Sequence, residues 1–202
     1  MVANCLSKSK HHTMDKATIN AIDPARLTDI IADVAELHPH VWRRLCFASA
    51  VQAGINVPEA AHAWLEALQA QTSFLSADQV TELASELDAL RKGIVRDVIE
   101  VAPMLAIELM WEFFTLAEGI FERTAEEATE VSDIFDRACT DLISIAISTG
   151  TGPALFATRI AAAQASSQYG EFRELIQAVN AAQANAPTFL SKVNSYLQKS
   201  TS

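Results

Sequence analysis

Glycine and proline number only six each in 202 residues, and aromatic residues make up 7% although half the chain is hydrophobic. Strands are built from β-branched and aromatic residues and joined by Gly- and Pro-rich turns, so this balance, with Ala and Leu dominant, disfavours a β-rich fold and favours helices. Basic residues are also scarce. Fifteen Lys and Arg face 25 Asp and Glu, a formal net charge of −10. Such a surface repels a phosphate backbone, which disfavours direct nucleic-acid binding. The three cysteines, Cys5, Cys46 and Cys139, are odd in number and far apart. They form neither a secreted disulfide framework nor a CxxC metal site, and they suit a reducing cytoplasm. No long apolar run is free of charge: "MLAIELMWEFFTLAEGIF" is interrupted by Glu108, Glu112 and Glu118, which a bilayer core tolerates poorly. The first residues, "MVANCLSKSKHHTMDK", contain no apolar h-region and do not read as a signal peptide.

What is present is punctuation. Pro is tolerated at the first helical position and breaks a helix interior, and Pro24, Pro39, Pro58, Pro103, Pro153 and Pro187 each open an apolar run of helical period. Asp23 is placed to cap the first of these. Capping boxes are expected at Ser76 with Gln79 and at Thr124 with Glu127. Gly54, Gly150 and Gly170 mark helix ends that need the left-handed conformation. The expected architecture is all-α: nine helices at about 24–37, 39–53, 57–72, 76–101, 103–123, 125–148, 152–168, 171–184 and 187–199. Their short connections fold neighbours into antiparallel hairpins, as in an α-solenoid or repeat-like bundle. Residues 1–20 read as a flexible tail and 21–202 as one helical domain.

Burial is also written in the pattern. Val80, Leu83, Leu87, Leu90 and Ile94 make one apolar seam. The helix from Pro103 is apolar nearly all round and should be central, with a polar stripe of Glu108, Glu112, Thr115, Gly119 and Glu122. Phe113 belongs to its buried side.

Few groups point to chemistry. "FERTAEEATEVSDIFDRA" contains six carboxylates, but Glu126 and Glu127 suit the first turn of a helix, where negative charge meets the macrodipole. Glu130, Asp133 and Asp136 then alternate with Val131, Ile134 and Phe135, which reads as a solvated face rather than a metal site. Glu59 and His62 form a Glu-x-x-His of the kind that di-iron bundles use, but such a site needs two copies, and no other His has Glu three residues before it. In "HPHVWRR", Pro39 starts a helix with His38 as its N-cap. Trp42 and Leu45 are expected to face inward, and Arg43 and Arg44 to face water. "STGTGPAL" lacks the third Gly of a dinucleotide loop and the Gly-Lys-Ser/Thr of a phosphate loop, and no nucleophile elbow or His-Glu-x-x-His occurs.

From about residue 23 to 180 the order of features resembles an uncharacterised bacterial helical family, domain of unknown function 6880. The similarity runs through "DPARLTDIIADVAELHPHVWRRL", "SFLSADQVTELASELDALRKGIV", "MLAIELMWEFFTLAEGIFER", "DIFDRACTDLISIA" and "SQYGEFRELI". The family turn after "ER" is Asp-Ser-Gly rich, whereas here it reads "TAEEATE". The resemblance implies a short member of an intracellular bacterial family with an α-helical, repeat-like domain, and it implies no reaction. The final "APTFLSKVNSYLQKSTS" does not resemble the family's continuation and reads as a cap of this chain's own.

The function expected from these features is a non-catalytic, cytoplasmic protein-interaction module without metal or cofactor. Its partner is another protein, of basic character, and neither nucleic acid nor a membrane. Glu130, Asp133 and Asp136 form the candidate interaction face. The alternative is a small acidic inhibitor or immunity-type protein covering a basic partner, motivated by ten acids and two arginines between 101 and 141. A carboxylate-bridged metalloenzyme is the third reading, and it requires a second ligand set.

Overall fold

All six prolines lie in the first turn of a helix, and Gly54, Gly150 and Gly170 take φ of 66°, 66° and 75°, so the sequence punctuation fixes most boundaries. The computed structural model describes residues 15–124, 129–167, 169–182 and 186–200. Helices and turns account for the regular structure, and no strand occurs among the described residues. The fold is all-α.

The chain divides into two compact units, Met1–Trp42 and Arg43–Ser202. In the first, α1 (Lys16–Asn20) is capped by Asp15, and α2 (Pro24–Leu37) by Asp23, whose Oδ1 accepts the Ala25 and Arg26 amides at 3.0 and 3.2 Å. α1 occupies the end of the predicted tail and buries no side chain; the rest of that tail lies outside the described residues. The unit boundary falls inside α3 (Pro39–Ala53).

The second unit continues with α4 (Val57–Gln69), α5 (Ala77–Gly93), a π turn over Ile94–Val98, α6 (Ile99–Val101) and α7 (Pro103–Phe114). α8 (Ala117–Phe121), α9 (Thr129–Ser148), α10 (Pro153–Ser166), α11 (Arg173–Ala182) and α12 (Pro187–Ser200) complete it. The Ser76 box forms: Gln79 Oε1 accepts the Ser76 amide at 2.9 Å. Glu126 and Glu127 lie outside the described residues, and with them the second half of the Thr124 box; Thr124 itself is buried, and its Oγ1 donates to the Phe121 carbonyl at 3.4 Å.

Two predicted helices are interrupted. The run 76–101 contains the π turn, which keeps Ile94 and Val98 fully buried on either side of one wide turn. The run 103–123 is broken at Thr115 and Leu116, where backbone amides bond three residues back and Thr115 Oγ1 donates to the Glu112 carbonyl at 2.7 Å.

α9 packs against α5, α7 and α11; α4 packs on α7, and α12 on α10 and α11. The predicted seam Val80, Leu83, Leu87, Leu90 and Ile94 is buried, as is the apolar body of α7. The scarce aromatics are concentrated here: Phe113 lies tilted at 5.3 Å from Phe135, Phe114 tilted at 4.6 Å from Phe172, and Trp111 edge-on at 6.0 Å to Phe156. Fully burying each such ring stabilises the fold by about 1.5–3 kcal/mol. A few large rings thus tie α7, α9, α10 and the segment before α11 together.

Candidate interaction face

α9 has two opposed faces. Val131, Ile134, Phe135, Ala138 and Leu142 are at most 2% exposed. On the other side Glu130 and Asp133 are exposed, while Asp136 is half-buried. The helix period puts the three carboxylates on one outer strip but not at one point. Glu130 lies toward α5, where its Oε2 accepts from Thr81 Oγ1 at 3.2 Å. Asp136 lies toward α11 and shares a shallow groove with Thr140, Glu174 and Gln177. Asp133 stands between them, and its backbone carbonyl accepts from Arg137 Nε at 3.0 Å.

Beside this strip runs an ionic network along the α5–α9 seam. Arg91 pairs with Asp88 at 2.8 Å and with Asp141. Lys92 lies 2.5 Å and Arg137 3.5 Å from Asp88. Burial pushes the Asp88 carboxyl up, but hydrogen bonds and charge from Lys92 and Arg91 outweigh it and hold the group below its ordinary value. The spacings Asp88–Arg91 and Asp88–Lys92 were available in sequence as i,i+3 and i,i+4 pairs.

The stripe along α7 and α8 is on the surface as predicted, and its carboxylates reach other segments. Glu108 pairs with Arg159 at 2.6 Å, Glu112 with His62 Nε2 at 3.0 Å, and Glu122 accepts from the Tyr169 hydroxyl at 3.3 Å. Arg159 also lies 4.8 Å from the Trp111 ring centroid. His62 therefore meets a carboxylate, and it is Glu112 rather than its sequence neighbour Glu59. Among the described residues no group of three or more His, Cys, Asp or Glu could hold a metal ion.

Around "HPHVWRR" the predicted phases need correction. Trp42 is 60% exposed rather than inward, and Leu45 is half-buried. Arg43, expected in water, turns inward to Glu86, because that carboxylate is buried and needs donors. Its Oε1 accepts from Arg43 Nη2 at 2.6 Å and from Trp64 Nε1 at 2.8 Å. The His38 carbonyl receives the Val41 amide at 2.9 Å, and the His38 and His40 rings lie 5.5 Å apart. Cys139 is buried, and burial, followed by charge from Asp136 and Glu174, pushes its thiol up to about 12. No described helix is long and apolar enough to cross a membrane.

No curated protein and no solved structure matches the chain. A family match covers residues 9–201, so it includes α12, and the expectation that the last helix is peculiar to this chain is corrected. With nearly its whole length matched, the chain belongs to the family described as "Family of unknown function (DUF6880)".

Proposed function

We propose that this protein is a non-catalytic interaction module that engages a basic protein partner through the outer strip of α9. The observation that carries this reading is the division of α9: one face is sealed in the core, and the other carries Glu130 and Asp133 exposed and Asp136 half-buried. Like charges on one face contribute little to folding but steer and orient an oppositely charged partner. A second reading, a small acidic inhibitor that covers a basic partner, is favoured by the net charge of −10.

The test is capture from a host lysate at low salt, with the parent chain and a Glu130→Gln, Asp133→Asn, Asp136→Asn triple variant as parallel baits. The expected result is one basic protein, identified by mass spectrometry, whose recovery falls about tenfold or more with the variant. Equal recovery on both baits overturns the assignment to α9. Binding that survives about 0.5 M salt with the parent favours a docking module, whereas binding abolished there favours the acidic inhibitor.

A further inference from the structure

The first unit has almost no interior. Ala35 is the only buried hydrophobic side chain among described residues 15–42. Yet α2 has the pattern of a helix that covers something: Leu27, Ile30, Ile31, Val34 and Leu37 fall within about 120° of its circumference, at about 100° per residue. Leu27 is half-buried, while Ile30, Ile31, Val34 and Leu37 keep 37%, 36%, 40% and 77% of their surface exposed. A contiguous apolar stripe left in water on an amphipathic helix marks a contact surface.

The charges on α2 decide what fits there. Asp29 and Glu36 lie on the far side of the helix, whereas Arg26 and Asp33 both border the stripe, on the same edge and two turns apart. Neither Arg26 nor Asp33 makes an ion pair among the described residues. Within one helix they stand about 10 Å apart, too far to pair. An edge with one charge of each sign is self-complementary under a two-fold axis: with a second α2 antiparallel to the first, each Arg26 meets Asp33 of the other copy. The same axis sets Leu27 against Val34 of the second copy, and Ile30 against its Ile31. A basic partner would meet Arg26 at this edge and leave the acids on the far side unused, and an anionic lipid surface would be repelled by those acids. The exposed apolar surface is on the order of 350 Å² per chain, so a pair with its polar rim reaches about 1,200 Å², where specific interfaces begin.

We propose that α2 is a homodimerisation helix: two copies of this chain pack antiparallel through the Leu27, Ile30, Ile31, Val34 and Leu37 stripe, with an Arg26–Asp33 pair at each end. The exposed ion pairs fix the register, and the apolar stripe supplies the attraction. Each copy carries a net charge of −10, so the chains repel at long range. Salt screens that repulsion and leaves the apolar seam intact, so it should tighten this dimer, the opposite of its effect on capture by the α9 strip.

The test is sedimentation velocity of the full chain at low and high salt. The expected result is a reversible dimer with Kd of about 1–100 μM, tightened about 2- to 5-fold between roughly 50 and 500 mM salt. A Val34→Gln, Leu37→Gln variant should weaken it about tenfold or more with unchanged helicity, since Gln is a good helix former and both positions are exposed. Arg26→Asp should weaken it about 3- to 10-fold, and adding Asp33→Arg should bring it back to within about twofold of the parent. That recovery reports contact between copies, because the two positions cannot meet within one helix. The Gln variant should capture the basic partner like the parent, and the α9 triple variant should still dimerise, so either assignment can fall without the other. A monomer at every concentration overturns the inference, whether or not it sediments with phosphatidylglycerol vesicles or retains a lysate protein that the Gln variant loses. A dimer indifferent to the Gln variant, or a charge swap without recovery, also overturns it.

Discussion

Arg43 and Glu86, 43 positions apart, join α3 to α5 through a bifurcated contact: Arg43 Nε and Nη2 lie 3.0 and 2.6 Å from Glu86 Oε1. The same oxygen accepts the indole N–H of the buried Trp64, so one carboxylate satisfies two elements at once. Removing Glu86 strands both donors. Glu86→Ala is predicted to destabilise by about 2–4 kcal/mol, and Arg43→Ala by less, because Arg43 is partly exposed and Trp64 still serves the carboxylate. Urea denaturation measures both, and a loss below about 0.5 kcal/mol for Glu86→Ala would refute the joint role.

Gly93 should lose stability on replacement by alanine, although alanine is ordinarily the better helix former. At Gly93 the new methyl meets the Phe47 ring, which is 3% exposed and packed edge-on at 5.6 Å against Trp64, so it cannot swing away. Overpacking of about 1–3 kcal/mol then exceeds the helix-propensity gain of about 1 kcal/mol. Phe47→Leu combined with Gly93→Ala should cost less than the sum of the single changes, and additive losses in that double-mutant cycle would show the contact to be loose.

Asp88 predicts the acid side of the stability profile. Its folded pKa lies below the unfolded value of about 3.9, so its contribution is fully present above that pH and is lost as pH falls through the folded pKa. Asp88→Asn should lower stability at neutral pH and flatten the decline below about pH 4. Parallel profiles for parent and variant would contradict this.

Cys139 predicts thiol reactivity. In a Cys5→Ser background, exposed Cys46 should react with a thiol reagent at pH 8, while Cys139, buried and pushed up to about 12, should react only on unfolding. The sign for stability is that of an acid raised on folding: above about pH 9 the unfolded thiol ionises first, and stability falls as pH approaches 12. Two thiols reacting at equal rates in the folded protein would overturn the placement.

Much of the fold was legible because prolines, glycines and seams act locally. Pro103 starts α7 and Gly54 ends α3 by backbone constraints that any neighbour would respect. The π turn was not legible, since Ile94–Val98 reads as ordinary helix; only Gly93 inside a helical run hinted at close packing. The break at Thr115 depends on a side-chain hydrogen bond to the backbone, which helical periodicity does not register. Arg43 and Trp42 were misphased for a related reason. Hydropathy turns a tryptophan inward and an arginine outward, but the buried Glu86 across the fold reverses the gain for Arg43. At the candidate face the alternation set Glu130, Asp133 and Asp136 opposite the apolar residues; Glu130 and Asp133 are exposed, and Asp136 is half-buried. Their divergence toward α5 and α11 follows from which helices flank α9, and that is a tertiary fact.

Steering of a basic partner by the α9 strip is read from the association rate of the captured partner with the parent and with the Glu130→Gln, Asp133→Asn, Asp136→Asn variant, from about 10 mM to 500 mM ionic strength. The variant should keep the parent's helicity and its urea stability within about 0.5 kcal/mol. The parent's rate should fall by about tenfold or more across that range, and the variant should start lower and fall less steeply. Superimposable rates and salt slopes would contradict the account and leave the strip as solvated surface.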